Sequence, residues 1–294
     1  MKEDFKRILV LTDFSAASIH AVEEAAMIAA KFNSVLHLLH VSSNSILSWL
    51  VTPEAYFIHL AGNNKEIQNS RAILEKIKIE LVKRVELTIE CHEAEGKLCE
   101  TVNRYVDTLQ IDLVVLGAKR ENWFKELLFE SKAKDIIRSV NSEVLCVYPE
   151  SNSNRLKKIV LPIGKYIPKR KIKLAYELAK KFAANVHLIS FTRNGRSLTS
   201  EDTKTLMASY QYLKDITNIP IECKTVFGNN LAQATIQYAE DIGADLILVN
   251  AGSESFFQGS VLRRWSGNIV NHSSIPVLSV HAINGKKTRH QYRA

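Results

Sequence analysis

Cysteine is scarce and scattered in this chain: Cys91, Cys99, Cys146 and Cys223 form no CxxC pair, which leaves neither a disulfide framework nor a thiolate metal site to expect. They are read as buried, reduced thiols. Long apolar runs are missing too, and no stretch approaches the ~20 residues that a membrane span needs. The N-terminus MKEDFKRILVLTD turns polar again after a few apolar residues, so no export signal is read and the cytoplasm is the expected compartment. No motif places a serine or cysteine as a nucleophile, and no His, Asp or Glu spacing reads as a metal site. His37 and His187 are read as packed strand histidines, with His40 and His92 nearer strand ends. Trp49, Trp123 and Trp265 do not cluster and are assigned to packing. The chain is therefore not expected to be an enzyme.

What the sequence has is a repeat. Its 294 residues, 46% hydrophobic and 24% charged, suffice for two domains with substantial cores. ILVLTD (8–13) answers to IVLPIG (159–164), HLLHV (37–41) to HLISF (187–191), and IDLVVLG (111–117) to ADLILVN (244–250). Ile89, Glu90 and Cys91 before Gly96 match Ile221, Glu222 and Cys223 before Gly228, and VLCV (144–147) matches VLSV (277–280). The polar segment PESNSNRLKK (149–158) divides domain 1, 1–150, from domain 2, 155–282. Residues 283–294 form a basic tail that is expected to be disordered.

Within each half, short apolar runs alternate with longer amphipathic stretches. In the first half this predicts strands near 7–12, 35–41, 85–91, 112–117 and 144–148, and helices near 16–32, 64–83, 97–109 and 126–140. The strands read as apolar throughout, as parallel strands covered on both faces must be. Two doubly wound α/β domains follow, with any ligand expected at the carboxyl ends of the strands. The last strands, 144–148 and 277–281, are apolar sheet edges and are expected to pair with each other about a pseudo-two-fold axis. Pairing of whole chains into a homodimer is compatible with this but not specified.

ILVLTDFSAASIHAVEEAAMIAAKFNSVLHLLHV (8–41), GADLILVN (243–250) and SSIPVLSV (273–280) resemble the universal stress protein family, across nearly the whole chain and twice over. The resemblance implies a five-stranded parallel sheet of order 3-2-1-4-5 in each half, Rossmann-like, and a tandem member of the family. It also implies a test for nucleotide binding. Family members that bind ATP carry an Asp after strand one, a Val after strand two and a loop G-x2-G-x9-G-[ST] after strand four. Others lack the loop and do not bind ATP.

Carried over residue by residue, domain 1 keeps Thr12 and Asp13, Val41, Gly117 and the hydroxyl of Ser131. Arg120 and Glu130 stand where the second and third glycines belong, which blocks close backbone approach to phosphate and sets a carboxylate against it. ATP or AMP is thus the only cofactor to consider, in domain 1 alone. Domain 2 departs further: Gly164 replaces the Asp, Phe191 the Val, and Asn250, Ser253, Arg263 and Arg264 fill the loop positions. Gly259–Ser260 falls out of register with that motif. The implied function is a non-catalytic stress or signalling protein acting through paired domains. The alternative is an ATP-binding, slowly hydrolysing one that uses domain 1.

Charge divides the halves. Residues 1–150 carry 18 Lys and Arg against 22 Asp and Glu, whereas residues 151–294 carry 21 against 9, net −4 and +12. Attraction between the halves is one reading, and an acidic or phosphorylated partner is the other. Under the second, Lys165, Lys169, Arg170, Lys171, Lys173, Arg193, Arg196, Arg263 and Arg264 gather at the mouth of domain 2, with Lys165, Arg170, Arg263 and Arg264 as the candidate anion-binding set.

Overall fold

Ser15 starts the first helix. Its hydroxyl accepts from the Ser18 amide, satisfying one of the amide donors that a helix N-terminus leaves open. Helix α1 (Ala16–Phe32) then buries a stripe of small residues, Ala17, Ala21, Ala25 and Ala29, and stops at Asn33, which takes the left-handed conformation (φ 59°). Small side chains let this helix lie close against the sheet. The equivalent helix of the second half, α5 (Lys169–Phe182), has no side-chain cap at its start and ends in an alanine, Ala183, at φ 54°.

The computed structural model describes residues 5–42, 63–118, 132–149, 156–193, 200–251, 269–270 and 273–281. In the first half, β1 (Arg7–Leu11), α1, β2 (Val35–Ser42), α2 (Asn63–Arg84), β3 (Thr88–Glu95), α3 (Leu98–Leu109), β4 (Leu113–Gly117), α4 (Lys132–Ser139) and β5 (Glu143–Val147) alternate as the patterning predicts. The second half repeats the order: β6 (Lys158–Pro162), α5, β7 (Asn185–Arg193), α6 (Ser200–Ile216), β8 (Ile221–Gly228), α7 (Leu231–Asp241), β9 (Leu246–Ala251) and β10 (Val277–His281). The described strands form a single ten-stranded sheet in the order β3-β2-β1-β4-β5-β10-β9-β6-β7-β8. Each half reads 3-2-1-4-5 from its own outer edge.

All neighbours are parallel except the central pair, where Val277, Leu278 and Ser279 of β10 run antiparallel to Cys146, Leu145 and Val144 of β5. One sheet therefore crosses both halves, and so do the two cores on its faces. On one face Val10, Leu36 and Leu38 pack with Ala25 of α1 and Leu178 of α5. On the other Leu9, Leu39 and Val144 pack with Val106 of α3 and Ile236 of α7.

Two expectations need correction. β3 spans 88–95, not 85–91, and the two outermost strands are not apolar throughout: β3 (TIECHEAE) and β8 (IECKTVFG) mix exposed and covered positions. An edge strand has a neighbour on one side only and is incompletely roofed by helices, so polar side chains are tolerated there. The charged positions of β3 hide it from a search for apolar runs. For α4, the described part is 132–139, and the earlier residues of its expected span, like those of the expected tail, lie outside the described residues.

Candidate functional site

The carboxyl ends of β1, β2 and β4 bring Thr12, Asp13, Val41 and Gly117 to one end of domain 1. Thr12 is buried and works as a local joint. Its hydroxyl pairs with that of Ser18 at 3.2 Å and accepts from the Phe14 amide, its amide donates to the Leu39 carbonyl at 2.9 Å, and its carbonyl meets His40 Nδ1 at 2.9 Å. Asp13 follows at the surface, where Oδ1 accepts from both the amide and the hydroxyl of Ser15, at 3.1 and 2.6 Å. Partial burial pushes its pKa up, but the hydrogen bonds from Ser15 and Ser18 together outweigh that, and the net shift is downward. The carboxylate is thus charged and held in place.

The turn between Asp13 and the helix is tight enough to put Phe14 at φ 63°, an uncommon backbone region for a non-glycine residue. The Phe14 ring stacks on His40, with centroids 4.5 Å apart. Val41 is half-buried on the opposite face of β2, beside Ala94 of β3.

Gly117 has a structural reason of its own. A Cβ there would lie 2.5 Å from the Ala17 carbonyl oxygen and 2.9 Å from the Ser18 amide nitrogen, so only glycine lets β4 end against the start of α1. This contact is independent of phosphate. Ser131, Arg120 and Glu130 lie outside the described residues, as do Trp49, Trp123 and Trp265.

Domain 2 lacks the equivalent arrangement. Gly164, in the Asp13 position, would tolerate a side chain, since nothing lies within 4 Å of its Cβ direction. Asn250 takes the place of Gly117 and donates to the Tyr166 hydroxyl at 3.2 Å. Phe191 folds toward the end of β8, where its ring edge would be 3.7 Å from a Cβ on Gly228.

Three of the cations expected to gather at this mouth engage other groups. Lys171 is 2% exposed and its ammonium donates to the Pro162 carbonyl. Arg170 forms an ion pair with Glu143 of domain 1, with Nε 2.9 Å from Oε1 and a second guanidinium nitrogen on the same oxygen. Lys169 reaches over the Tyr212 ring of α6. Lys165 is exposed, Arg193 is exposed at the end of β7, and Arg196, Arg263 and Arg264 lie outside the described residues. Arg170, Lys171 and Lys169 are therefore engaged at the junction with domain 1, on the Pro162 carbonyl and against α6.

Glu143 organises that junction. Only 5% of its side chain is exposed, and its second oxygen accepts from the His281 amide at 2.7 Å. It sits at the amino end of β5, but antiparallel pairing places it beside the carboxyl end of β10. An apolar cleft also lies along the seam, lined by residues such as Phe5, Ile28, Leu145, Leu178 and Leu278, and includes none of the nucleotide-motif positions.

On β2 and β3 the fold joins residues that sequence spacing kept apart. Register sets His37 opposite Glu90, and His92 follows two residues later on the same face. His37 Nδ1 is 3.0 Å from His92 Nε2 and 3.3 Å from a Glu90 oxygen. Burial lowers the pKa of both imidazoles, against the opposing pull of Glu90. In sequence, only the Glu-x-His alternation of 90–92 hinted at this.

A doubly wound α/β protein whose two halves share one sheet, with a carboxylate after the first strand and a close strand–helix approach after the fourth, belongs to a narrow structural class. The family model for the universal stress protein family matches residues 4–148 and again 155–281, and the chain belongs to that family. It is 28% identical over 145 residues to universal stress protein A homolog 1 of Coxiella burnetii, covering 96% of that relative and 49% of this chain. Over both halves it resembles a universal stress protein from Archaeoglobus fulgidus (TM-score 0.69, 16% identity, 94% of this chain and 98% of that one). A putative universal stress protein from Pseudomonas aeruginosa is similar too (TM-score 0.63, 14% identity, 95% and 94%). At these identities the two structures speak for the fold alone. No helix among the described residues is long and apolar enough to cross a membrane.

Proposed function

We propose that this tandem universal stress protein-like chain is a non-catalytic stress or signalling protein, acting through its two joined domains and retaining residual adenine-nucleotide binding in domain 1. The observation that carries the reading is the unequal state of the two mouths. Asp13 is charged and fixed by Ser15, whereas the equivalent position in domain 2 is Gly164, and Arg170 of the helix that follows it is paired with Glu143 of domain 1. What supports an adenosine side is that Thr12, Asp13 and Val41 share the carboxyl ends of β1 and β2, while Arg120 and Glu130 replace the glycines that phosphate would need. No sequence motif in either half places a serine or cysteine as a nucleophile, and signalling would pass through surfaces rather than turnover.

Calorimetry with adenosine, AMP and ATP, with and without magnesium, tests this. Adenosine and AMP should bind at least as tightly as ATP, Asp13→Ala should abolish binding, and the double variant Arg120→Gly, Glu130→Gly should raise ATP affinity. ATP binding far tighter than AMP in the unaltered protein, with steady release of ADP, would instead establish the hydrolase.

A further inference from the structure

We propose that His37, His92 and Glu90 form a binding site for a divalent transition ion of the zinc type on the outer edge of domain 1. The three ligand atoms form a triangle. His37 Nδ1 to His92 Nε2 is 3.0 Å, His37 Nδ1 to the Glu90 oxygen 3.3 Å, and His92 Nε2 to that oxygen 3.8 Å. Metal–ligand bonds of about 2.0–2.2 Å at tetrahedral to octahedral angles separate neighbouring ligand atoms by roughly 2.9–3.5 Å. Two sides already match, and the third closes with a small movement of Glu90, whose side chain is 52% exposed and free to swing.

The donors suit the ion. Two imidazoles and one carboxylate make the borderline nitrogen–oxygen set that zinc and its neighbours prefer over calcium or magnesium, which take oxygen. The imidazoles are backed by the fold: His37 is 4% exposed within β2, and the His92 ring is braced by the edge of Tyr105 of α3, centroids 5.3 Å apart. His37 Nε2 has no hydrogen-bond partner among the described residues, so that ring depends on Nδ1 for its polar contacts. The exposed flank beside Glu90 leaves coordination positions for water or a further ligand.

Domain 2 supplies the comparison. There β7 and β8 pair His187 with Glu222 in the same register, and Tyr238 of α7 corresponds to Tyr105. The position of His92, two residues after the glutamate, holds Lys224. Without the third donor, His187 Nδ1 turns to the Tyr238 hydroxyl at 3.1 Å and lies 3.5 Å from Glu222. The same scaffold thus carries the full donor set in one half and not in the other.

The test is zinc titration of the full chain after chelator stripping, read by competition with a chromophoric chelator. One equivalent per chain is expected. His92→Lys, which installs the residue domain 2 already accommodates, and Glu90→Gln should each weaken it at least ~10-fold, while His187→Gln should leave it in place. Loading the stripped protein with Co2+ should give visible d–d absorption that disappears in His92→Lys. Failure of the unaltered protein to take up an equivalent, or uptake unchanged in both His92→Lys and Glu90→Gln, overturns the assignment. Nucleotide titration does not enter these readouts, so the site stands or falls apart from the function proposed above.

Discussion

Tyr148 and His281 are counterparts: each lies at the end of its domain's last strand and crosses the junction to the other half. The Tyr148 hydroxyl donates to the Val270 carbonyl, and His281 Nε2 meets the Ile137 carbonyl at 2.9 Å. Val270 and Ile137 hold equivalent places in the repeat. Tyr148 is fully buried, so Tyr148→Phe leaves a buried carbonyl without its donor. The expected cost is about 1–2 kcal/mol, measured as a lower urea midpoint with an unchanged slope.

The Arg170–Glu143 pair should respond unequally to removal of its two members. Arg170→Ala strands a carboxylate that is 5% exposed, whereas Glu143→Ala frees a guanidinium that is 43% exposed and can turn to water. Costs of about 3 kcal/mol and about 1 kcal/mol, respectively, are expected. Urea denaturation of both variants at pH 7 measures the difference, and equal costs for the two would show that Glu143 is not stranded by the loss of Arg170.

Gly117 and Gly164 test whether glycine is kept for packing. Gly117→Ala should destabilise domain 1 by about 2–4 kcal/mol, because its Cβ meets backbone atoms that cannot step aside. Gly164→Ala should be within about 0.5 kcal/mol of neutral, since nothing crowds that position. Thermal melts without nucleotide are the appropriate measurement. An unaffected Gly117→Ala would show that the close approach of β4 to α1 does not require glycine.

Ala183, left-handed at the end of α5, carries a Cβ in a region that favours glycine. Ala183→Gly should stabilise the chain by about 1 kcal/mol. Its counterpart Asn33 already tolerates this conformation, so Asn33→Gly should change stability less. Differential scanning calorimetry of the two variants suffices.

His187 gives domain 2 an acid sensitivity. Burial holds its pKa below the ordinary 6.5, opposed by Glu222 and reinforced by Lys158, while Tyr238 faces the ring from α7. A histidine with a depressed folded pKa is protonated first in the unfolded chain, so its contribution is intact above the unfolded pKa and declines as pH falls below it. Urea midpoints should therefore drop between pH 7.5 and 5.5, and His187→Leu should flatten that part of the profile. An unchanged slope in the variant would assign the sensitivity elsewhere.

Much of the fold was legible because its signals are local. The span of α1 was readable end to end, since Ser15, the alanine stripe and Asn33 mark start, face and stop within one segment. The strand order is what the family resemblance implies, and the repeat carries it to the second half. β3 was misplaced because an edge strand has no apolar run to find. The fates of Arg170 and Lys171 were hidden for a different reason: adjacent residues on a helix point to different neighbours, and only packing decides that one reaches Glu143 and the next Pro162. His37 and His92 likewise meet through strand register across an intervening helix. Sequence distance conceals such a pair, and the Glu-x-His alternation of 90–92 is its one local trace.

The antiparallel joint between β5 and β10 changes what the covalent link is for. Seam hydrogen bonds, shared cores and the Glu143 clasp bind the halves whether or not residue 149 is tethered to residue 156. What the tether adds is stoichiometry and asymmetry: every particle receives one copy of each half. Two unlike domains can then differ residue by residue at equivalent places, as Asp13 and Gly164 do, while staying joined through one sheet.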